Sequence, residues 1–405
     1  MKHVVVITEH FYPRVGGNVV YVDNLTRTMA RQGIRVSLIA PGDRSSARPG
    51  KENDTNNRHM VYLPVRDRNK DDRIWEREQR NSFLKLCKAQ VPVMVKEKTA
   101  DVVHIMYGHY VHIVLPTISA PLVWTCHNVP PQEYRMPLSE NSPAGRVGNA
   151  VLRKLIRQKH KRLIRSAQYD QIIAVSEATK HILVTDVGVN PASICVIPNG
   201  VDVNQKLAVP RHRRAGAEPL RLLTVGGMKL HKNVHLIPRL LLELKRCGFK
   251  VKWYIVGPED DREYVRRIRD EIGRYHLEED VFLEGKIAGV QVWEHYQKAD
   301  LYVHLSREEG FCLTVLEALA CGIPVVGTNV GAIPSLVMKR CGLVVEPTTD
   351  SILSGLKWAM LNLEQLAADV ASRKNLAAQY SWDIIATKTL HTYESILSGR
   401  AGGNV

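Results

Sequence analysis

One stretch decides how this chain is interpreted: Ser306-Arg-Glu-Glu-Gly-Phe-Cys-Leu-Thr-Val-Leu-Glu-Ala-Leu-Ala-Cys-Gly-Ile-Pro-Val-Val326. It places a carboxylate, Glu309, beside a Gly-Phe turn and a second carboxylate, Glu317, eight positions later in an apolar helical pattern. A helix rises about 1.5 Å per residue, so both acids can face one ligand, with free backbone N–H groups between them. The arrangement suits a ligand with hydroxyls at both ends and negative charge in the middle, such as a nucleotide sugar.

Short apolar strands alternate with amphipathic helices along almost the whole chain, which favours parallel sheets in a doubly wound α/β protein. We predict strands at Val4–Ile7, Val36–Ala40, Val102–Ile105, Leu122–Thr125, Ile172–Val175, Leu220–Val225, Val251–Val256, Val281–Leu283, Leu301–Leu305 and Ile323–Val326. We predict helices at Val19–Arg31, Val234–Arg246, Asp261–Tyr275, Val290–Gln297 and Asp383–Leu397.

The length of 405 residues predicts two domains, since a domain usually has about 100–200 residues. The polar, basic segment Lys206–Pro219 precedes a new strand, so we place the boundary there. The expected domains are 1–205 and 206–382, with the last helix, 383–398, packing back on the first domain.

The composition is that of a globular protein, with 44% hydrophobic and 24% charged residues. No apolar run approaches the roughly 20 residues that span a bilayer, and the apolar start of the chain is too short for a signal peptide. The seven cysteines form no C-x-x-C pair, so we expect reduced core thiols and a cytoplasmic location.

The formal net charge of +15 predicts attraction to polyanions. Much of that charge lies in the segment 146–165, where eight Arg and Lys residues are interspersed with apolar ones. One interpretation is a basic amphipathic helix that attaches the protein peripherally to the anionic inner face of a membrane; the other is a packed helix with solvated cations. Nucleic acid is not expected as a partner, because the segment lacks stacking aromatic residues.

Taken together, the motifs resemble the retaining GT-B glycosyltransferases of the GT4-type family. The resemblance rests on Glu-x7-Glu, a Gly-Gly loop after the first strand, His127 after a mid-domain strand, Ile197-Pro-Asn-Gly-Val-Asp202 and a terminal Trp-containing helix. It covers nearly the whole chain. It implies the GT-B fold, two Rossmann-like doubly wound domains facing a central cleft, with the nucleotide sugar in the C-terminal domain and the acceptor mainly in the N-terminal domain.

By position, the resemblance implies that Glu317 accepts hydrogen bonds from ribose hydroxyls and that Glu309 binds the donor sugar. Ionised carboxylates only accept hydrogen bonds, which suits vicinal diols. Backbone amides at the start of the helix can cradle phosphate, because the helix dipole is positive there. The alternative is that both acids are merely solvated. The donor set also includes Gly310, Phe311, Leu313 and Thr314.

A second element of the donor site is Thr224-Val-Gly-Gly-Met-Lys-Leu-His-Lys-Asn233. Lys232 matches the family's lysine and would balance the charge of the leaving diphosphate. The family's arginine is replaced by Gly227, so a second charge would have to come from Lys229 or His231. The alternative is that Lys232 is a solvated loop residue.

Two further segments resemble the family less specifically. Gly285-Lys-Ile287 would hold the nucleobase, with Ile287 assigned to the donor site. The loop Gly331–Ser335 ends in Ser335 where the family commonly has Glu, which leaves that position without a carboxylate.

In the N-terminal half, Gly16, Gly17 and Asn18 lie between the first strand and its helix. Glycine lets a sugar or phosphate approach the backbone closely. The resemblance places Gly17 at the donor diphosphate and Gly16 and Asn18 at the acceptor, whereas the alternative for Gly16 is a tight turn that needs positive φ. His127 would contact the donor sugar and the acceptor, although a lone histidine is often structural.

No metal and no cofactor are expected. The chain contains no Asp-x-Asp, the pairing with which GT-A transferases hold a divalent cation, and no His-Glu-x-x-His or clustered Cys/His. We assign Glu309, Lys232 and His127 as the catalytic residues.

The expected activity is retaining transfer from a nucleotide sugar to an acceptor hydroxyl, in glycoconjugate, envelope polysaccharide or natural-product biosynthesis. A UDP-sugar is favoured, either an N-acetylhexosamine or a hexose, and the acceptor is unknown. The alternatives are a GT-B-fold epimerase or phosphorylase, or a non-catalytic nucleotide-sugar binder, which Gly227 and Ser335 bring into consideration.

Overall fold

The computed structural model describes residues 1–11, 16–42, 57–63, 73–97, 100–107, 118–129, 143–203, 218–259, 261–337 and 341–402. The chain divides into two compact units, Met1–Gly200 with Trp382–Val405, and Val201–Ser381. The division thus falls at Gly200/Val201, five residues before the predicted boundary, and Trp382 lies in the first unit. Most of the predicted linker, 204–217, lies outside the described residues.

The first unit contains a seven-stranded parallel sheet in the order β3-β2-β1-β4-β5-β6-β7. Its strands are β1 His3–Thr8, β2 Arg35–Pro41, β3 Arg58–Leu63, β4 Val102–Tyr107, β5 Leu122–Cys126, β6 Gln171–Ala174 and β7 Ile194–Val196. Its α-helices are α1 Gly17–Arg31, α2 Arg73–Glu97, α3 Pro143–Ser166, α4 Glu177–Ile182 and, from the end of the chain, α13 Trp382–Gly402.

The second unit contains a six-stranded parallel sheet in the order β10-β9-β8-β11-β12-β13. Its strands are β8 Leu220–Val225, β9 Val251–Val256, β10 Val281–Gly285, β11 Leu301–His304, β12 Val325–Thr328 and β13 Gly342–Val345. Its α-helices are α5 Ile237–Arg246, α6 Arg262–Arg274, α7 Gly289–Lys298, α8 Leu313–Ala320, α9 Ile333–Leu336, α10 Thr349–Leu361, α11 Leu363–Ala368 and α12 Val370–Ala378.

Each sheet has one position where the strand order reverses. In the first unit, the chain runs outward through β1, β2 and β3 and then returns to place β4 on the other side of β1. The second unit repeats this at β8 and β11. Ligands of open α/β sheets bind beyond the carboxyl ends of the strands at such a reversal. The loops that follow β1, β4, β8 and β11 are therefore the places to look for a site.

The predicted fold class is confirmed, since both units are doubly wound parallel α/β structures. Central strands such as β1, whose six residues are all buried, are continuous β-branched runs because helices cover both faces. The strand predicted at Ile323–Val326 lies two residues further on, because Ile323 and Pro324 belong to the turn that ends α8. The predicted helix from Val234 begins as a 3-10 turn and becomes α-helical at Ile237.

The prediction of core thiols is wrong for two of the seven cysteines. All seven are free, and five are buried, but Cys195 is half-buried and Cys247 is exposed. Cys247 directly follows the last residue of α5, where the chain turns away from the core. Among the described residues, no helix combines the length and the apolar character needed to span a bilayer.

The last helix, α13, is part of the core of the first unit. Trp382, Ile385, Ala386 and Tyr393 are buried there with the residues of α1 and the sheet. A Cβ on Gly200 would come within 2.5 Å of the Trp382 ring. The glycine of the Ile197–Asp202 motif and the tryptophan 182 positions later are thus parts of one contact.

Tyr393 also ends a buried chain of polar contacts. Its hydroxyl lies 2.5 Å from Nδ1 of His104, whose Nε2 lies 2.7 Å from the Thr125 hydroxyl. The Thr125 hydroxyl lies 3.4 Å from the Tyr21 hydroxyl. Burial lowers the pKa of His104 to about 3, so its ring is neutral and uses one nitrogen as donor and the other as acceptor.

We expect Tyr393→Phe to lower the free energy of unfolding by about 1–3 kcal/mol, because one nitrogen of the buried His104 ring loses its partner. Urea unfolding followed by far-UV circular dichroism measures this. Glu394→Gln, on the exposed face of the same helix, is the control and should change stability by less than about 0.5 kcal/mol. Equal stabilities for the two variants would show that the His104 contact contributes nothing.

Candidate functional site

Lys232 is held in position by the loop that follows β8. The residues Leu230–Lys232 form one 3-10 turn, and Asn233 ends it in the left-handed conformation, with φ of 53°. The side-chain amide of Asn233 is buried and donates to the carbonyl oxygen of Leu305, at 3.0 Å. The Arg307 amide donates to the carbonyl oxygen of His231, at 2.8 Å. These bonds join the loop after β8 to the loop after β11, which is the loop that carries Glu309.

Glu309 is the centre of a compact polar cluster. Its Oε1 accepts from Nζ of Lys232 at 2.5 Å, from the Ser306 hydroxyl at 2.7 Å and from Nε2 of His304 at 3.1 Å. Its side chain is 10% exposed and that of Lys232 is 25% exposed. The ion pair between Lys232 and Glu309 lies at the strand-order reversal of the second sheet, and the two residues are 77 positions apart in the chain.

The charges of this cluster are set by mutual contact. Burial alone would raise the pKa of Glu309, but the Lys232 charge and the His304 bond outweigh burial and hold it well below its usual range. Burial lowers the pKa of His304, yet the interactions with Cys312 and Glu309 raise it to about 9. At neutral pH the cluster therefore contains one carboxylate and two cations.

Glu317 lies on the open face of α8. Apart from Thr314 and Glu317, every residue of this helix is buried, and these two are three positions apart, on one face. The Tyr296 hydroxyl, from α7, donates to Glu317 Oε2 at 2.8 Å. Burial raises the pKa of Glu317, although the Tyr296 bond opposes that rise. The Glu317 carboxylate thus lies on the less buried face of α8, where it can accept from the hydroxyls of a ligand.

The remaining predicted donor residues offer backbone more than side chain. Phe311 is buried, with its ring 6.1 Å from that of Tyr380, and Leu313 is 9% exposed. Gly310 is buried in the turn before them, and Ile287 is half-buried after β10. Gly310, Phe311 and Leu313 can therefore offer a ligand only their backbone groups. Ile287 can also offer its half-buried side chain.

The two departures from the family pattern have clear surroundings. A Cβ on Gly227 would meet only Pro258 at 3.7 Å and Lys229 at 4.0 Å, both ordinary van der Waals contacts. Ser335 is exposed on the short helix α9 and bonds to the carbonyl oxygen of Ala332. In the same loop, Gly331 has φ of +55°, and a Cβ would stand 2.4 Å from the Glu309 carbonyl oxygen.

The cluster does not require a metal ion for its charge balance. The heteroatoms of His304, Glu309 and Cys312 lie within 4.8 Å of one another. However, the ammonium group of Lys232 already neutralises the Glu309 carboxylate through Oε1. The absence of a metal from the reaction stays a prediction.

In the first unit, Gly16, Gly17 and Asn18 form the start of α1. The helix has no side-chain cap and no acidic residue in its first turn, which leaves its positive end uncompensated. Gly16 has φ of 171°, and a Cβ on it would meet nothing within 4 Å. The alternative of a tight turn with positive φ is therefore wrong for Gly16. Among the described residues, neither its conformation nor its packing requires a glycine, and its role at the acceptor stays a prediction.

His127 is buried directly after β5. Its ring lies edge-on to that of Tyr21, with centroids 4.5 Å apart, and its Nε2 lies 3.0 Å from the carbonyl oxygen of Met106. Burial lowers its pKa to about 4, so the ring is neutral at pH 7. Because a carbonyl oxygen only accepts, Nε2 carries the proton and Nδ1 is left as an acceptor for a hydroxyl.

Sequence reasoning missed four side chains: three at the proposed donor site and one buried acid in the first unit. In the second unit they are His304, Ser306 and Tyr296, which contact the two acids. In the first unit it is Glu9, directly after β1, whose Oε1 is buried without a hydrogen-bond partner. Burial raises the pKa of Glu9 to about 7, opposed by Arg80. A polar residue at the end of an apolar strand was the only signal for Glu9 and His304.

The stability of the protein should depend on pH through His304. Its pKa in the folded state, about 9, exceeds the usual 6.5, so the protonated ring stabilises the fold fully below pH 6.5 and progressively less up to pH 9. Between pH 6.5 and pH 9, we expect the free energy of unfolding of the native protein to fall by roughly 2 kcal/mol more than that of His304→Asn. Urea unfolding of both proteins at pH 6, 7.5 and 9 measures the difference. A constant difference across the three pH values would contradict a raised pKa.

Two family profiles match consecutive parts of the chain. The profile described as Glycosyltransferase Family 4 matches residues 15–205, and that described as Glycosyl transferases group 1 matches residues 209–374. Among solved structures, sucrose-phosphate synthase from Thermosynechococcus elongatus has a TM-score of 0.78 at 19% identity, covering 98% of this chain and 100% of that one. Anabaena HepE in complex with UDP and glucose has a TM-score of 0.71 at 17% identity, covering 97% and 99%.

Relatives with assigned names are similarly distant in sequence. One subunit of the human phosphatidylinositol N-acetylglucosaminyltransferase is 22% identical over 97% of this chain and 76% of its own length. The D-inositol 3-phosphate glycosyltransferase of Kineococcus radiotolerans is 26% identical over 95% of this chain and 92% of its own length. Both profiles match in order, and each unit has the doubly wound parallel sheet of a GT-B domain. The chain therefore belongs to glycosyltransferase family 4.

Proposed function

We propose that this glycosyltransferase moves a sugar from a UDP-sugar to an acceptor hydroxyl with retention of the anomeric configuration. The observation that carries the proposal is the partly buried ion pair of Lys232 with Glu309 at the strand-order reversal of the second unit. In this proposal, Glu309 binds hydroxyls of the donor sugar, Lys232 balances the diphosphate, and Glu317 binds the ribose. The open face of α8 supports that last role, since it presents Thr314 and Glu317 together.

The leaving group sets the main chemical demand. As the bond between the anomeric carbon and the diphosphate oxygen breaks, negative charge develops on that oxygen, and a fixed cation nearby stabilises it. Lys232 and the N-terminal amides of α8 supply that stabilisation. The acceptor oxygen bonds to the anomeric carbon from the face that the diphosphate leaves, and the departing oxygen takes the proton of the acceptor hydroxyl, which gives retention without a covalent enzyme intermediate.

In the first unit, the proposed acceptor site comprises Gly16, Asn18 and His127. The neutral His127 ring presents Nδ1 as a hydrogen-bond acceptor, so it can hold a sugar hydroxyl and cannot act as an acid at pH 7. The uncapped positive end of α1 favours a negatively charged group. An acceptor or donor phosphate fits this end of the helix.

The names of the relatives guide the choice of substrates. One is named for N-acetylglucosamine transfer to phosphatidylinositol and another for transfer to inositol 3-phosphate. UDP-N-acetylglucosamine is accordingly the first donor to test. Phosphatidylinositol and inositol 3-phosphate are the first acceptors.

The proposal predicts UDP release from a UDP-sugar only when an acceptor is present, with the product anomeric configuration equal to that of the donor. Lys232→Ala and Glu309→Ala should each lower kcat/KM by at least about 100-fold, because a preorganised charge or sugar contact is lost. Coupled UDP release and proton NMR of the product measure these effects. Lys250→Ala, an exposed residue before β9, is the matched control.

Other outcomes separate the alternatives. Epimerised donor without any acceptor would replace transfer by epimerisation, and a sugar phosphate formed with inorganic phosphate would indicate a phosphorylase. Tight UDP binding without turnover against any acceptor would identify a binding protein, provided that the cellular effect of the protein is unchanged in the Glu309→Ala variant.

We further propose that α3 lies on an anionic membrane surface. Its buried side carries His160 and Ile164, and on the opposite side Val151 and Leu155 are 55% and 57% exposed, beside the exposed Lys154, Lys159 and Arg162. Two other arginines have partners within the unit, since Arg157 pairs with Asp186 and Arg165 bonds to the carbonyl oxygen of Val187. The combination of exposed apolar and cationic groups on one helix face suits a lipid interface, and the location would then be the cytoplasmic side of a membrane.

Replacing Lys154, Lys159 and Arg162 by Gln should reduce co-sedimentation with phosphatidylglycerol vesicles by about 10-fold or more, since each cation near an anionic surface contributes about 1 kcal/mol. Binding of native protein should fall with added salt and be weak on phosphatidylcholine vesicles. A triple Gln variant of Lys85, Lys88 and Lys96, exposed on α2, removes equal charge and is the control. Equal loss in both variants would mean that net charge, and no particular helix, drives binding.

A further inference from the structure

The family's arginine is missing from the proposed donor site of this chain, so a second positive charge has to come from another element. Gly227 stands at that position, and the neighbouring loop contributes Lys232 alone to the Glu309 carboxylate. A second basic side chain does contact Glu309 Oε1: His304, the last residue of β11, which is 4% exposed and lies 3.1 Å from that oxygen through Nε2.

We propose that protonated His304 is the counter-ion that keeps Glu309 ionised and bound while Lys232 moves from Glu309 to the donor diphosphate. The inference rests on the proposed donor site in the second unit. It makes His304 a positioning residue, which acts through Glu309 and Lys232 and does not itself touch the substrate.

The hydrogen bonds around Glu309 support this role. All three donors, Lys232, Ser306 and His304, converge on Oε1. A carboxylate oxygen only accepts, so Nε2 of His304 carries a proton in this contact. Nδ1 is buried without a hydrogen-bond partner among the described residues, so the second proton of the ring rests on the raised pKa of His304 and on its proximity to the Glu309 carboxylate. With Oε1 held by groups of the protein, Oε2 is the oxygen left to accept from the hydroxyls of a sugar.

Charge balance shows why one cation would be insufficient. If Lys232 were the sole partner of Glu309, its transfer to a diphosphate would leave a nearly buried carboxylate without a counter-charge, which is strongly unfavourable. With His304 protonated, the carboxylate keeps one cation, and Lys232 is the charge in excess. Glu309 therefore keeps a counter-charge when Lys232 contacts the donor diphosphate, and donor binding avoids the penalty of an unpaired carboxylate.

The surroundings of His304 set the sign of its pH dependence. The titratable and charged groups near its ring are Glu309 and Cys312 from the segment before α8, and Lys232 from the loop after β8. The adjacent strand β12 places Gly327 beside it, and the Ser306 hydroxyl lies 3.2 Å from its Nε2. Loss of the proton at high pH would leave Lys232 as the only cation on Glu309, and donor affinity should fall.

The test compares UDP affinity and turnover in native protein, His304→Asn and His304→Asn/Gly227→Arg. Asparagine keeps a donor for Glu309 but removes the charge, and a Cβ at Gly227 would make only ordinary van der Waals contacts, so the backbone there tolerates a side chain. At pH 7, we expect His304→Asn to bind UDP about 10-fold more weakly by calorimetry and to fall in kcat/KM by more. The added arginine should restore at least half of the lost affinity on a logarithmic scale.

The pH profile provides the readout that a packing role would not change. The UDP affinity of native protein should decrease between pH 7.5 and 9.5, whereas that of His304→Asn should stay level. His276→Asn is the control, because His276 is exposed with φ of 53°, a conformation that asparagine adopts readily, and it should behave as native protein.

Each outcome decides between the two proposals. Native UDP binding and sugar transfer that His304→Asn retains at every pH would overturn the role of His304 and leave the proposed function standing. A weakened variant that has the native pH profile and gains nothing from the arginine would reduce His304 to a packing residue. Failure of the native protein to bind any uridine nucleotide would remove the proposed function and this role with it.

Discussion

A carboxylate that is nearly withdrawn from water must be balanced, and the structure around Glu309 is organised by that requirement. Its partners come from two loops: Lys232 follows β8, while His304 and Ser306 end and follow β11. Backbone bonds hold the two loops together, including that from the Arg307 amide to the His231 carbonyl oxygen. Gly331 lets a third loop pass against the Glu309 backbone. The ion pair therefore forms only when these three loops pack against one another. In turn, it neutralises the Glu309 carboxylate that this packing buries.

Strand order explains why these loops meet. Strands β8 and β11 are neighbours in the sheet although 75 residues lie between the end of one and the start of the other, because the chain completes β9 and β10 on one side before it returns. The first unit uses the same device at β1 and β4, where the Glu9 amide donates to the Tyr107 carbonyl oxygen at 3.0 Å. Parallel strands present all their carboxyl ends at one edge, so each unit collects polar side chains from distant parts of the chain at the reversal.

The sequence predicted the buried strands and the strongly amphipathic helices well, because β-branched runs and 3.6-residue periodicity carry the information locally. It missed about half of the helices, among them Arg73–Glu97 and Thr349–Leu361. It missed β3, β7 and β13, which are edge strands or short strands without a long apolar run. For the site, Lys232 and Glu309 were predicted together from their motifs, and their direct contact is new. Tyr296 and His304 were missed because their contacts with the acids are tertiary: Tyr296 lies on a different helix from Glu317, and His304 resembles an ordinary strand end. Gly16 shows the opposite failure, since a turn with positive φ was a reasonable alternative and its backbone is extended.

The contact between Gly200 and Trp382 also bears on how the protein is made. A ribosome delivers the sheet of the first unit early, but the helix that covers part of that sheet with Ile385, Ala386 and Tyr393 emerges only after the whole second unit has been synthesised. Domains otherwise fold as units in the order of synthesis. Here the nascent first unit keeps an apolar face uncovered through translation of some 180 further residues, a period in which chaperone binding would protect that face from aggregation.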